Sequence, residues 1–174
     1  MSVASKVENL LVSESKLKGF VTPNYSGLGL ANVAPTILSH FNINPKKHYK
    51  LSDSFLDYSI FKGVKKIVFM LFDGLGYDTL LNHVKTNKMG FSDLVKDGQL
   101  LPITSVLPST TVSAMSSIHT GITPQEHGML GYKMYLKEIK TIMNMIAFEN
   151  VLGPAPHQIT INLHNLLIFC QRKN

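Results

Sequence analysis

The chain has 174 residues, of which 44% are hydrophobic, and this length is enough for one domain with a buried core. No apolar run reaches the roughly 20 residues that span a bilayer, so we expect no membrane partner. The net charge of +6 comes from basic residues scattered in ones and twos, without interleaved aromatic residues. This pattern argues against nucleic-acid binding and favours the attraction of small phosphorylated molecules.

The N-terminal residues and the cysteine content indicate the compartment. The first 20 residues mix charges with apolar positions and lack the pattern of a secretory signal. Cys170 is the single cysteine, so it has no partner for an internal disulfide. We therefore expect a cytoplasmic protein, and the sequence leaves its oligomeric state open.

The first half of the chain predicts two helices and a strand. Residues 3–17 have apolar positions at helical spacing, and residues 30–41 (LANVAPTILSHF) predict a second helix with a proline near its start. Residues 65–72 (KKIVFMLF) are a continuous apolar run that begins with lysines and is followed by Asp-Gly. That pattern is typical of a strand buried on both faces of a parallel sheet.

The next residues predict a right-handed crossover between parallel strands. Residues 73–80 (DGLGYDTL) form a loop opening a helix, 91–99 predict a short helix, and 100–106 (LLPITSV) a second strand. A further helix is expected from Thr111 to Thr120, closed by Gly121. Two strands, GYKMYLKE and TIMNMIAF, then predict a hairpin.

A carboxylate and three alcohols follow the two predicted parallel strands. Asp73 comes directly after the first strand, and Ser109, Thr110 and Thr111 follow the second. Ligands bind open α/β sheets at the carboxyl ends of the strands, so these side chains are expected to converge there. A threonine alcohol needs a base or a metal to attack, whereas a helix N-terminus attracts phosphate. Asp73 and Thr111 together thus suggest attack on phosphorus.

Each part of this constellation also has a structural interpretation. Thr110 or Thr111 can simply cap the N-terminus of the predicted helix. Asp-Gly after a strand is usually a turn. The functional interpretation rests on the expected meeting of both parts at one edge of the sheet.

Two segments carry a resemblance to a known family, KKIVFMLFDGLGYD and LPSTTVSAMSSIHTGITPQEHGMLGY. They resemble the type I phosphodiesterase and nucleotide pyrophosphatase family of the alkaline phosphatase superfamily. The resemblance covers residues 65–148, and residues 22–38 (TPNYSGLGLANVAPTIL) are similar to the beginning of its microbial members. It implies an α/β fold with an alkaline-phosphatase-like, mainly parallel sheet flanked by helices. It also implies two divalent metal ions, with zinc expected.

The resemblance assigns roles to four residues. Asp73 corresponds to a metal ligand, and Thr111 to the nucleophile, which also binds metal. Thr110 and Tyr132 are expected on the substrate side, and Ser109 or Thr110 would replace Thr111 if the nucleophile were shifted along the motif. The expected substrate is a small phosphorylated molecule such as a nucleotide or a phosphodiester.

The sequence departs from the family at three points. Tyr132 stands where nucleotide pyrophosphatases have an asparagine for the phosphate, and His127 lies in a Pro-x-x-His-Gly stretch where its role is positional. The later metal ligands are missing, because the last aspartate is Asp97. His157 and His164 are more typical of structural or solvated histidines than of ligands.

We therefore expect residues 1–152 to be the N-terminal portion of such a hydrolase domain, with an incomplete sheet. We expect residues 153–174 to be an atypical tail from a truncated or frameshifted gene end. The leading hypothesis is a metal-dependent hydrolase of phosphoric esters that uses a threonine nucleophile. This hydrolase would be inactive as the short chain if the remaining metal ligands are not supplied. The alternative is a non-catalytic, anion-binding or regulatory remnant of the family. The sulfatase signature is absent, phosphoglycerate mutases use a serine in another motif, and the glycine spacing of dinucleotide-binding folds is not met.

Overall fold

The computed structural model describes residues 2–45, 48–86 and 90–153. Helices dominate this part of the chain, and one small sheet follows them. The α-helices are α1 (Val3–Ser13), α2 (Val33–His40), α3 (Tyr77–Lys85), α4 (Phe91–Asp97), α5 (Thr111–Thr120) and α6 (Pro124–His127), with 3-10 turns at Leu30–Asn32 and Tyr58–Phe61. The strands are β1 (Lys133–Leu136), β2 (Thr141–Asn144) and β3 (Glu149–Asn150). No helix of the described residues is long and apolar enough to cross a membrane.

Helix α1 forms the first of two small cores. Ser2 caps it by accepting a hydrogen bond from the N–H of Ser5. Val7 and Leu11 are one helical turn apart, and both are buried together with Leu28. The helix predicted over residues 3–17 is therefore confirmed, although it ends earlier, at Ser13.

A buried asparagine holds the chain that leads into α2. The Asn32 side-chain oxygen accepts the N–H groups of Gly27 and Gly29, and its amide donates to the carbonyls of Tyr25 and Tyr49. All of its polar atoms are thus satisfied although it is 1% exposed. The second predicted helix is confirmed by α2 and the 3-10 turn before it.

The sheet is a three-stranded antiparallel meander in the order β1, β2, β3. In its register, Lys133 lies opposite Asn144 and Leu136 opposite Thr141, so the predicted hairpin is confirmed. A second core joins this sheet to α5 through five buried side chains: Val112, Met129, Leu136, Met143 and Met145. The hairpin therefore supports the helix that carries the candidate nucleophile.

The predicted parallel sheet is wrong for the described residues. Residues 65–72 form no strand, and most of their side chains are exposed. In residues 100–106 the only strand-like pairing is a single parallel bridge between Thr104 and Gly29. The physical reason is that a strand requires a hydrogen-bonded neighbour, and Thr104 has its backbone bonded to Leu28 and Leu30 instead of to residues 65–72.

The helices predicted between those two segments are present. α3 begins after Gly76, and α4 ends at Asp97 just before Gly98. They pack against each other, with the rings of His83 and Phe91 stacked at a centroid distance of 6.4 Å. Of the atypical tail predicted at residues 153–174, residues 154–174, with His157 and His164, lie outside the described residues.

Candidate active site

Thr110 fixes the beginning of α5. Its backbone is extended, and its hydroxyl accepts the N–H of Ser113 at 3.3 Å, as an N-cap residue does. The same hydroxyl donates to the carbonyl of Leu130 at 3.2 Å, which ties the helix start to the segment before β1. At the other end, Gly121 adopts a left-handed conformation and donates to Ser117. The predicted bounds of this helix are confirmed.

Thr111 occupies the first helical position, next to the cap. Its side chain is exposed, and its hydroxyl makes no hydrogen bond with the described residues. The backbone N–H groups of Thr111 and Val112 also donate to no described acceptor, because they belong to the first turn of the helix. A free alcohol thus stands beside two free N–H donors at the positive end of a helix dipole.

Asp73 and Thr111 line the same cleft, whose volume is about 390 Å³. Ser109 and Thr110 line it as well, between the loop after residue 72 and the start of α5. The remaining lining residues are Leu30, Leu71, Phe72, Gly74, Leu75, Ser105, Ala114, Met115 and Ile118. The structure therefore brings the carboxylate and the three alcohols together without the parallel sheet from which their meeting was inferred.

Asp73 lines this cleft and is exposed. Its Oδ1 accepts the N–H of Gly74 at 2.9 Å, and Gly74 has a φ of 73°, a left-handed conformation that glycine adopts without strain. The Asp-Gly pair is thus a turn, as its structural interpretation predicts. This turn leaves the second carboxylate oxygen available to a ligand.

A comparison with protein families gave a match over residues 67–152, which is about half of the chain. The matching model is that of the type I phosphodiesterase / nucleotide pyrophosphatase family. The resemblance seen in the sequence is confirmed, and the matched residues include Asp73, Thr110, Thr111 and Tyr132. Comparisons with curated proteins and with solved structures gave no significant match.

Tyr132 does not line the cleft that Asp73 and Thr111 share. The side chain is exposed, and its hydroxyl accepts a hydrogen bond from the Asn144 side chain at 2.9 Å. The structure thus brings Thr110 to the candidate nucleophile of this family segment but does not bring Tyr132 there.

A second, apolar cleft of about 490 Å³ adjoins the first. Thr111 and Met115 line both clefts. Around the second one lie Val112, Ser116, His119, Thr120, His127, Met129, Met145, Ile146 and Phe148. This cleft could not be predicted from a single motif, because its walls come from both α5 and the hairpin. Its local sequence signal is the spacing of Thr111 and Met115 by one helical turn.

His127, in the Pro-x-x-His-Gly stretch, has both ring nitrogens in hydrogen-bond contacts. Nδ1 accepts the N–H of Met129 at 2.9 Å, and Nε2 lies 3.0 Å from the Ser117 hydroxyl. The first contact requires a neutral Nδ1, so Nε2 carries the proton and donates it to Ser117. Burial lowers the pKa of His127, although a backbone hydrogen bond involving Ser113 and the charge of Glu126 oppose the shift.

The chemistry of the donor set tests the metal ions that the family implies. Among the described residues there is no group of three or more His, Cys, Asp or Glu side chains that could hold a metal ion. Asp73 and Thr111 offer two oxygen donors, whereas resident zinc and magnesium ions take four to six ligands. The described residues therefore do not fit the expected pair of divalent ions.

Proposed function

We propose that this chain is a hydrolase of phosphoric esters of the phosphodiesterase or nucleotide pyrophosphatase type, with Thr111 as its nucleophile. One observation carries the proposal: Thr111 and Asp73, both within the family segment, line one cleft at the N-terminus of α5. The family supplies the reaction class, and the cleft supplies an alcohol beside an anion-attracting helix end.

The free N–H groups of Thr111 and Val112 hold the phosphoryl oxygens of the bound ester. The helix dipole adds a favourable interaction with the negative charge, and the basic net charge of the chain attracts the substrate. Thr110 supports this arrangement indirectly, because its cap fixes the helix end relative to Leu130. Its proposed role is positioning.

In the chemical step, the Thr111 oxygen forms a bond to phosphorus while the bond from phosphorus to the ester oxygen breaks. The hydroxyl proton leaves with the alcohol product, and Asp73 is the carboxylate on this cleft that can carry it. Water then attacks the phosphothreonine and releases phosphate or a phosphomonoester. Each step conserves atoms and charge without a redox partner.

The neighbouring apolar cleft favours a diester over a monoester. It shares Thr111 and Met115 with the first cleft, so an ester bound at Thr111 can place one organic group against Met129, Met145 and Phe148. Burial of apolar surface there would stabilise the bound ester, and a monoester lacking a second organic group gains less from it.

The test is hydrolysis of bis(4-nitrophenyl) phosphate and 4-nitrophenyl phosphate, with zinc or manganese added. We expect the diester to react faster, and Thr111→Ala to lose about a hundredfold or more in rate. Thr111→Ser, which keeps an alcohol, should retain part of the activity. Thr86→Ala, at an exposed threonine that follows α3 and lines neither cleft, is the matched control and should leave the rate unchanged. Equal rates for wild type and Thr111→Ala would exclude Thr111 as the nucleophile.

The second candidate is anion binding without catalysis, and the incomplete donor set among the described residues favours it. Titration calorimetry with inorganic phosphate separates the two functions. Thr111→Ala keeps the backbone N–H groups, so it should still bind phosphate under either proposal. Binding without hydrolysis of either ester would support the second candidate and reject the first; absence of both would reject the two together.

A further inference from the structure

The strongest unexplained feature outside the cleft is a run of exposed apolar side chains. Five consecutive large residues, Val68 to Phe72, are exposed, with Val68 at 81% and Phe69 at 50%. Side chains of this kind are found singly on protein surfaces, whereas contiguous apolar patches mark interaction sites. Lys65 and Lys66 precede the run, and Asp73 follows it. We refer to residues 65–73 as the exposed segment.

The backbone of the exposed segment is also without partners. Between Lys66 and Phe72, no backbone N–H or carbonyl forms a hydrogen bond with another described residue. The segment has β-branched and aromatic residues and contains neither proline nor glycine, which suits a strand. It therefore combines an open row of backbone donors and acceptors with apolar side chains, and such a segment pairs readily with another strand.

We propose that the exposed segment pairs with the same segment of a second copy of this chain, as antiparallel strands. The charges at its two ends select this occupant and this direction. In an antiparallel pair centred on Phe69, Lys65 of each copy lies opposite Asp73 of the other. Parallel pairing in register would instead place like charges opposite each other.

The same register matches the central apolar residues on both faces of the pair, while Lys66 lies opposite Phe72 nearer its ends. On one face Phe69 meets its own symmetry copy and Ile67 lies opposite Leu71, and on the other face Val68 lies opposite Met70. A two-fold axis through Phe69 relates the two copies, so one surface supplies both halves of the contact.

Sedimentation velocity over about 1–100 μM chain tests the association. We expect a concentration-dependent dimer as the first species, and Phe69→Lys should weaken dimerisation at least tenfold. Phe20→Lys is the matched control, because Phe20 is a similarly exposed phenylalanine outside the segment. A chain that stays monomeric throughout, or a Phe69→Lys variant that associates like wild type, would overturn the proposal.

Disulfide crosslinking tests the register, in a Cys170→Ser background. Residues directly opposite each other have a Cα separation that a disulfide can bridge, whereas residues offset along the strands are too far apart. Phe69→Cys should therefore form a crosslinked dimer on mild oxidation, and Val68→Cys should not. Equal crosslinking at both positions would contradict the antiparallel pair.

Charge reversal gives an independent test of direction. Lys65→Glu and Asp73→Lys should each weaken self-association, because each places like charges opposite one another. An equimolar mixture of the two variants restores opposite charges at both ends and should associate more tightly than either alone. If mixing brings no recovery, the charge pairing is wrong.

Hydrogen exchange tests whether the exposed segment is covered by a second copy or within one chain. Amides 67–72 should be exposed in dilute solution and become protected as the concentration of chain rises. Protection that is the same at all concentrations would show that the segment is covered within one chain, and the proposal would fail. None of these measurements uses hydrolysis, so they are independent of the proposed function.

Discussion

Replacing Thr110 with alanine should destabilise the fold by about 1.5–2 kcal/mol. Loss of an N-cap threonine costs about 1 kcal/mol, and the second hydrogen bond, to the Leu130 carbonyl, adds about 0.5–1 kcal/mol. The lower end applies to the second bond because Leu130 is exposed and water can replace the donor. Thr111→Ala should change stability by no more than about 0.5 kcal/mol, because the Thr111 hydroxyl has no described partner.

Urea unfolding followed by far-UV circular dichroism measures both effects. With a denaturant dependence of about 2 kcal/mol per molar, Thr110→Ala should lower the midpoint by about 0.75–1 M. Thr110→Ser retains the capping oxygen and should recover most of this loss. If Thr110→Ala were as stable as wild type, Thr110 would not be the residue that fixes the helix end. If Thr111→Ala were destabilised as much as Thr110→Ala, the Thr111 hydroxyl would not be free of structural contacts.

Two further predictions concern the frame around α5. Because burial lowers the pKa of His127, this histidine binds a proton near pH 6.5 in the unfolded chain but only at a lower pH in the folded chain. The contribution of His127 to the free energy of unfolding should therefore be greatest above pH 6.5 and should fall as the pH drops from 6.5 to the lower pKa of the folded chain. Urea midpoints at several pH values check this. His127→Gln should remove this part of the pH dependence. Gly121→Ala and Gly128→Ala both place alanine at a φ near 70°, but only the first brings its Cβ within 2.8 Å of Pro35. Thermal melts should show a loss of about 1–2 kcal/mol for Gly128→Ala and about 1–3 kcal/mol more for Gly121→Ala, and equal losses would contradict the close packing at Pro35.

Local sequence signals predicted the helices well. The ends of α5 follow from residues close to it in the chain, a threonine cap at Thr110 and a left-handed glycine at Gly121. The hairpin also forms between neighbouring segments, β1 and β2. In each case the residues that decide the structure lie within a few positions of it, so a short stretch of sequence contains the necessary information.

The parallel sheet could not be predicted in the same way. The apolar run at 65–72 has the composition of a buried strand, but burial depends on neighbours that the run itself does not specify. In the described structure Thr104 instead pairs with Gly29, which lies far away in the sequence. The composition of the segment thus indicated that it needs neighbouring strands to bury it. Only the tertiary structure shows that the described residues do not provide those strands.

The candidate site was predicted from residues whose local and family signals agree. Asp73 and Thr111 do line one cleft, whereas Tyr132 was placed on the substrate side by motif position alone and does not line it. The apolar cleft beside Thr111 escaped prediction because it forms between α5 and the hairpin. Its walls depend on packing between elements, which no single motif encodes.

The exposed segment and the candidate active site meet at Leu71, Phe72 and Asp73, which belong to the segment and also line the cleft. Pairing of two copies would hold this wall of the cleft in place and bring Lys65 of the second copy to Asp73. Phe69 lies in the segment but not among the residues that line the cleft, so Phe69→Lys changes association without removing a cleft residue. If the rate of ester hydrolysis per chain rises with chain concentration in the wild type and not in this variant, the cleft depends on the pair. A rate per chain that is the same for both proteins at every concentration would show that one copy is sufficient.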